Sequence, residues 1–343
     1  MKTNPGRFFE DYRLGEVITH AVPRTLSGGE RALYHALYPA RHALYASDEF
    51  ARSCGLPAAP LEDLIAFHTV FGKTVPDISL NALANLGYGE GRWLAPVWPG
   101  DTLRSDSTVI GLKENSNGKS GVVYVRTRGL NQHGVAVLDY VRWVMVRKGD
   151  HAAPAPFPHV PSLAASVDPG ALVIPAGLNF SRYDFALAGE PHRWGDYEIG
   201  EQIDHVDGVT IEEAEHMLAT RLWQNTAKVH FDRSARDDGR RLIYGGHVIS
   251  LARALSFNGL ANVQMIVALN AGAHANPCFA GDTVRAWSEV LDRAETAAPG
   301  VGAIRLRLVA VRQGAGEFAL RGEDGKYLPE VLLDLDYWGL IPL

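Results

Sequence analysis

The chain states one pattern twice. Asp11-Tyr12-Arg13-Leu14-Gly15-Glu16-Val17-Ile18-Thr19-His20 returns 185 residues later as Asp196-Tyr197-Glu198-Ile199-Gly200-Glu201-Gln202-Ile203-Asp204-His205. Pro99-Gly100-Asp101-Thr102-Leu103-Arg104 returns as Ala280-Gly281-Asp282-Thr283-Val284-Arg285, and Asp139-Tyr140 with Trp143 returns loosely as Asp336-Tyr337-Trp338. Three anchors in one order define a tandem duplication, so any fold assigned to one half must serve the other. The 343 residues are then two units, each long enough to bury its own core. We read residues 1–150 as the first domain, 151–185 as a linker and 186–343 as the second domain.

Each unit orders its elements alike. A short strand (15–21; 200–206) precedes a helix, a second and more apolar helix follows (61–72; 246–260), and strands fill the remainder. Thr210-Ile211-Glu212-Glu213 reads as a capping box that opens the first helix of the second unit. Residues 121–128 and 135–146 form a strand pair around the turn Asn131-Gln132-His133-Gly134. The glycine-rich stretch 87–91 opens no amphipathic helix and reads as a turn rather than a phosphate loop. One long helix followed by several strands predicts α+β architecture, with an antiparallel sheet wrapped around a central helix in each unit. Residues 152–177 are rich in Pro and Ala and predict an extended linker laid over the surface; the aromatic residues of 178–193 are expected to pack against a domain.

A net charge of −6 leaves no basic footprint for nucleic acid and disfavours anionic membranes. Cys54 and Cys278 occupy different places in the two copies, which points to a reducing compartment rather than a disulfide framework. There is no signal-peptide pattern and no long apolar run. A cytoplasmic protein is expected.

The copies differ where chemistry needs polar groups. The second has Trp223-Gln224-Asn225-Thr226-Ala227-Lys228-Val229-His230-Phe231-Asp232, where the first has Tyr38-Pro39-Ala40-Arg41-His42-Ala43-Leu44-Tyr45-Ala46-Ser47. The second segment resembles the MaoC-like hydratase signature Gly-Asp-x-Asn-Pro-aliphatic-His-x-Asp. Gln224 stands at the Gly, Asn225 at the Asp, Ala227 at the Asn, Lys228 at the Pro, Val229 at the aliphatic position, His230 at the His and Asp232 at the last Asp. Tyr244-Gly245-Gly246-His247-Val248 is similar to the family's His-Gly-Met-like element. Pro277 to Thr283, matched by Pro96 to Thr102 in the first copy, is similar to its Pro-x-x-x-Gly-Asp-Thr element. Nearly the whole chain resembles two consecutive hotdog domains, most closely those of the mesaconyl-CoA hydratase (β-methylmalyl-CoA dehydratase) branch.

The resemblance implies a hydro-lyase that adds water reversibly to a short, branched, dicarboxylic 2-enoyl-CoA. Asn225, His230 and Asp232 are the implied catalytic residues, and Gly245, Gly246, Gln224 and Arg233 the implied substrate-binding ones. A histidine near its ordinary pKa can take and return a proton around neutrality. A backbone amide beside a glycine at a helix start can stabilise enolate charge on the thioester oxygen, an effect worth about 3 kcal/mol. Asn225 departs from the family Asp: an amide orients water but cannot take its proton. Asp232, Glu62 and Asp63 are candidate replacements for the missing carboxylate. The free carboxylate of the acyl group requires a cation, for which Arg233, Arg221 and Arg92 are candidates. No metal or redox cofactor is required; the CoA thioester is the substrate, and a homodimer is expected. Three alternatives stand beside this reading. One is an acyl-CoA thioesterase, disfavoured because the helix Val248 to Leu255 carries no carboxylate. Another is a (3R)-hydroxyacyl-CoA dehydratase of other acyl specificity. The third is a non-catalytic acyl binder. The bland reading of Asp101 and Asp282 is that both cap their own turns.

Overall fold

The computed structural model describes residues 2–343. Its ten strands are β1 (Val17–Thr25), β2 (Ala82–Trp93), β3 (Thr102–Glu114), β4 (Ser120–Leu130), β5 (Ala136–Arg147), β6 (Gln202–Thr210), β7 (Met265–His274), β8 (Thr283–Glu295), β9 (Val301–Arg312) and β10 (Val331–Pro342). They form one sheet in the order β1-β3-β4-β5-β2-β7-β10-β9-β8-β6. Each half contributes five antiparallel strands, and the halves join edge to edge where β2 pairs antiparallel with β7. This pairing closes the two edges that separate sheets would expose.

The strands alternate because one face is covered. In β4, Val123 and Val125 face inward while Tyr124 and Arg126 are half-buried. A helix covers that face in each half: Asp63–Thr74 in the first, Gly245–Leu255 in the second. Every residue of the first helix is buried, as is every residue of the second from Gly246 onward. A helix apolar on all sides is stable only when enclosed. These are the two central helices expected from the sequence, displaced by a residue or two at their starts.

Two local expectations are corrected. The stretch 87–91 is not a turn but the middle of β2, its backbone paired to β5 on one side and β7 on the other. Glycine allows the seam's close approach there: a Cβ at Gly91 would stand 2.8 Å from the Cβ of Leu269 on β7. Thr210 is the last residue of β6, its hydroxyl hydrogen-bonded to that of Thr283 at 2.7 Å. The helix Glu213–Leu222 is instead capped at Glu212, whose N–H donates to the Glu215 carboxylate at 3.1 Å.

The repeated residues have repeated structural uses. His20 bridges Asp77 and the hydroxyl of Ser107; its copy His205 bridges the Asn258 carbonyl and the hydroxyl of Ser288. Asp-His-Ser order suggests a nucleophile, but Ser107 and Ser288 have no exposed surface, so both sets fasten first strands to neighbours. Asp101 accepts from the Trp98 amide at 2.8 Å and Asp282 from the Phe279 amide at 2.9 Å, the turn-capping role expected of them.

The connecting segment is tied down along its length. His159 and Leu112 exchange backbone hydrogen bonds of 2.8 and 2.9 Å, and the Asn179 amide donates to the Cys54 carbonyl at 2.9 Å. Val167, Leu178, Phe180 and Tyr183 enter a core cluster with Trp338 and Leu340. No helix among the described residues is long and apolar enough to cross a membrane.

The halves also lock through Gly72, where a Cβ would lie 1.8 Å from the Trp223 carbonyl oxygen, immediately before the Asn225 turn. Gly72→Ala must push that turn aside. We expect it to destabilise the fold by about 1–3 kcal/mol, read as a lowered melting temperature. Unchanged melting would show that the contact yields freely.

Candidate active site

A cavity of about 270 Å³ lies where the two halves meet. The second half contributes Asn225, Ala227, Val229, His230, Tyr244 and Gly245, and the first contributes Phe71, Asn85, Tyr88 and Arg142.

His230 sits on a short helical turn, Lys228–Phe231, that begins after Ala227. Its Nδ1–H donates to the Leu242 carbonyl oxygen at 2.8 Å. A carbonyl only accepts, so the proton is fixed on Nδ1 and Nε2 carries the lone pair. The protein packed around the ring pushes its pKa down to about 4, against the smaller opposing effect of the Leu242 carbonyl. At neutral pH the imidazole is therefore uncharged and able to accept a proton.

Asn225 is buried, and its side-chain oxygen accepts from the Ala227 amide at 3.3 Å. That bond shapes the turn presenting His230 and leaves the residue on the cavity wall. Gly245 is the first residue of the central helix, where a backbone amide has no acceptor within the helix. A Cβ there would lie 2.3 Å from the His274 ring, so the wall admits only glycine. The Tyr244 hydroxyl is held at 3.0 Å by His68 of the first half, which reaches the Ser250 hydroxyl at 2.7 Å with its other nitrogen. The Tyr244 N–H donates to His216 Nε2 at 3.0 Å. Tyr88 meets His274 Nε2 at 3.0 Å on the opposite wall.

Of the residues proposed from the sequence, the structure brings Asn225, His230 and Gly245 to one cavity. Gly246 is buried behind it against the Tyr244 ring. Gln224 is exposed, at the positive-φ corner that turns the chain into Asn225. Asp232 is exposed and accepts from the Ser234 amide and hydroxyl at 2.9 and 2.8 Å; those bonds hold its carboxyl below the usual range. It caps the next turn and does not reach the cavity. Arg233 is exposed and donates to the Gly239 carbonyl at 3.1 Å. Neither it, Arg221 nor Arg92 lines the cavity.

Glu62 and Asp63 do not supply the missing carboxylate either, because they belong to the matching place in the first half. There Tyr45, the counterpart of His230, donates to Asp63 at 2.5 Å, and the Ile266 amide donates to the same carboxylate at 2.6 Å. Burial pushes the Asp63 carboxyl up to about 7. Glu62 pairs with His35. A cavity of about 280 Å³ beside Asp63 is walled by apolar residues, including Val173 and Ile174 of the connecting segment. It contains no imidazole.

Sequence reasoning missed Arg142, on β5, and Asn85, on β2. The signal available for the first was a lone cation inside the apolar run 137–146.

A double hotdog with a neutral imidazole, a buried amide and a glycine helix start in one cavity defines a MaoC-like hydratase. A mesaconyl-CoA hydratase family model matches residues 2–318, and the chain belongs to that family. It is 81% identical over 342 residues to the mesaconyl-CoA hydratase of Cereibacter sphaeroides, covering 100% of both chains. It is 57% identical over 348 residues to the beta-methylmalyl-CoA dehydratase of Chloroflexus aurantiacus, covering 99% of this chain and 98% of the relative. A crystal structure of a MaoC domain protein dehydratase from Chloroflexus aurantiacus superposes with a TM-score of 0.98 at 56% identity, over 100% of this chain and 99% of that one. A double-hotdog protein of Mycobacterium tuberculosis, at 24% identity and a TM-score of 0.75, shares the fold over 98% of each chain.

The buried histidines make the protein sensitive to acid. Burial lowers His68 and His216 to about 3, and His205, His230 and His274 to about 4. Unfolded, these rings titrate near pH 6.5, so between that pH and their folded values the unfolded chain binds more protons. Stability is therefore lost as pH falls from about 6.5 towards 4. Asp63 and Glu190, both raised by burial, act in the opposite direction but are outnumbered. Thermal melts from pH 7 to pH 4 should show a steep fall in melting temperature. A flat profile would contradict the described environment of these rings.

Proposed function

We propose that the protein reversibly hydrates mesaconyl-CoA to β-methylmalyl-CoA, with His230 as the proton-transferring group. The observation that carries this is the fixed tautomer of His230 on the cavity shared with Asn225 and Gly245. The high identity to relatives named for the two directions of this reaction supports the substrate.

In the hydration direction, Nε2 takes a proton from water as the oxygen bonds to the β-carbon. The π electrons move towards the thioester, whose oxygen takes on enolate charge. The Gly245 amide, at the positive end of an 11-residue helix, stabilises that charge. The enolate collapses as the α-carbon takes a proton from the imidazolium, which returns His230 to its starting form. Asn225 orients the water by hydrogen bonding, the part of the family carboxylate's task that an amide can perform. His230 alone then transfers protons. The steps need only these groups and the thioester, without a metal or redox cofactor. The same reading places the enzyme in the cytoplasm as a homodimer, which light scattering at the monomer mass would overturn.

The test is loss of enoyl-thioester absorbance on incubation with mesaconyl-CoA, with free thiol followed in parallel. Absorbance loss without thiol release is expected; thiol release would make the protein a thioesterase. His230→Ala should lower kcat roughly 100-fold or more in a protein that melts like the wild type. Because its imidazole is uncharged down to about pH 4, the acidic limb of kcat/KM should lie well below the ordinary histidine value. A limb near pH 6.5, or full activity in His230→Ala, would remove His230 from the mechanism.

A further inference from the structure

We propose that Arg142, with Asn85 lining the same cavity, is the subsite that binds the free carboxylate of the acyl group and selects dicarboxylic over monocarboxylic enoyl thioesters. The inference rests on the hydratase reading above and names the specificity-determining residues of that site.

Arg142 has no exposed surface and lines the same cavity as His230. One guanidinium nitrogen donates to the Thr74 hydroxyl at 2.7 Å, and the carbon of the group stands 4.3 Å from the centre of the Phe71 ring. Its Nε and its Nη1 have no hydrogen-bond partner. None of the ion pairs among the described residues includes Arg142, unlike Arg126, which follows Arg142's register partner Val125 on β4 and pairs with Glu90 and Asp139. An enclosed guanidinium without a counter-ion is costly, and the cost is relieved when an anion arrives. The unpartnered nitrogens belong to a fork that matches a carboxylate.

Asn85 adds a second observation. Its amide nitrogen and oxygen are both enclosed and unpartnered, and it lines the same cavity. Tyr88, three residues along β2, stands opposite Arg142 in the β2–β5 register and carries the contact to His274. Rings connect this wall to the reacting end: Phe71 lies 5.9 Å from Tyr244, and Tyr244 lies 6.0 Å from His230. The cavity thus has a cationic, amide-bearing wall from the first half and a proton-transferring wall from the second. An acyl chain with its thioester at Gly245 and a carboxylate at its other end matches both.

The experiment compares mesaconyl-CoA with crotonyl-CoA, which lacks the second carboxylate, in wild type, Arg142→Gln and Arg142→Lys. Arg142→Gln should lower kcat/KM for mesaconyl-CoA roughly 100-fold, leave crotonyl-CoA within about three-fold, and so collapse the selectivity. Arg142→Lys, which keeps charge without the fork, should recover part of it. Parallel loss on both substrates in a variant that melts normally would make Arg142 structural and overturn the proposal, as would undiminished turnover of mesaconyl-CoA. Should Arg142→Gln not fold, calorimetry on the wild type with saturated succinyl-CoA and butyryl-CoA decides: at least ten-fold tighter binding of succinyl-CoA is expected, and equal binding overturns the proposal. Because that measurement needs no turnover, it separates failure of the subsite from failure of the hydratase reading.

Discussion

The pairing of β2 with β7 is the constraint on which the rest of the molecule depends. It fuses two five-stranded sheets into one and fixes the distance and angle between their central helices. Every wall of the cavity follows from it. β2 delivers Asn85 and Tyr88, β5 delivers Arg142 through its register with β2, and β7 delivers His274 from the other half. The seam is reinforced by side chains that cross it. His68 holds Tyr244 and Ser250, while Gly72 fits under the Trp223 carbonyl. A cavity built at such a joint cannot exist in either half alone.

Within that frame the two halves perform different tasks. The second supplies the imidazole proposed for proton transfer, the amide and the helix start. The first supplies enclosing aromatic rings and the cation. The ancestral equivalence is still visible in the paired His–Ser contacts and the paired aspartate-capped turns. It has been lost where Tyr45 and Asp63 occupy the place that His230 and Gly245 hold in the other copy.

Much of this was legible in the sequence, because repetition and apolar periodicity report directly on local structure. The two central helices, the hairpin around residues 131–134, the packed aromatic end of the connecting segment and the Gly-Asp-Thr turns all follow from short-range chemistry. His230 and Asn225 could be located because a helical turn brings residues close in sequence onto one wall. The same proximity misled at Asp232, two residues beyond His230: there the chain turns outward, and the carboxylate serves the backbone instead. Glu62 and Asp63 misled for a different reason, since sequence equivalence between copies placed them at a helix start without saying which cavity that start faces. Arg142 stood out only as a lone cation in an apolar run; its place on the same cavity as His230 arises through two strand registers and the seam. The glycines of 87–91 were read as a turn because the sequence gives no sign of a second half pressing against that strand.

β10, the last strand of the second half as β5 is of the first, contains neither lysine nor arginine, so the apolar cavity beside Asp63 has no counterpart of Arg142. A symmetric pair of identical subunits could not achieve this. Any arginine encoded for one pocket would be duplicated in the other. Joining both lobes in a single polypeptide frees each from its twin, so a charge can be placed on one side of the two-fold relationship alone. On the proposed role of Arg142, selectivity for a doubly acidic acyl group would then be a consequence of joining the lobes, written into the one that carries no imidazole at the matching place.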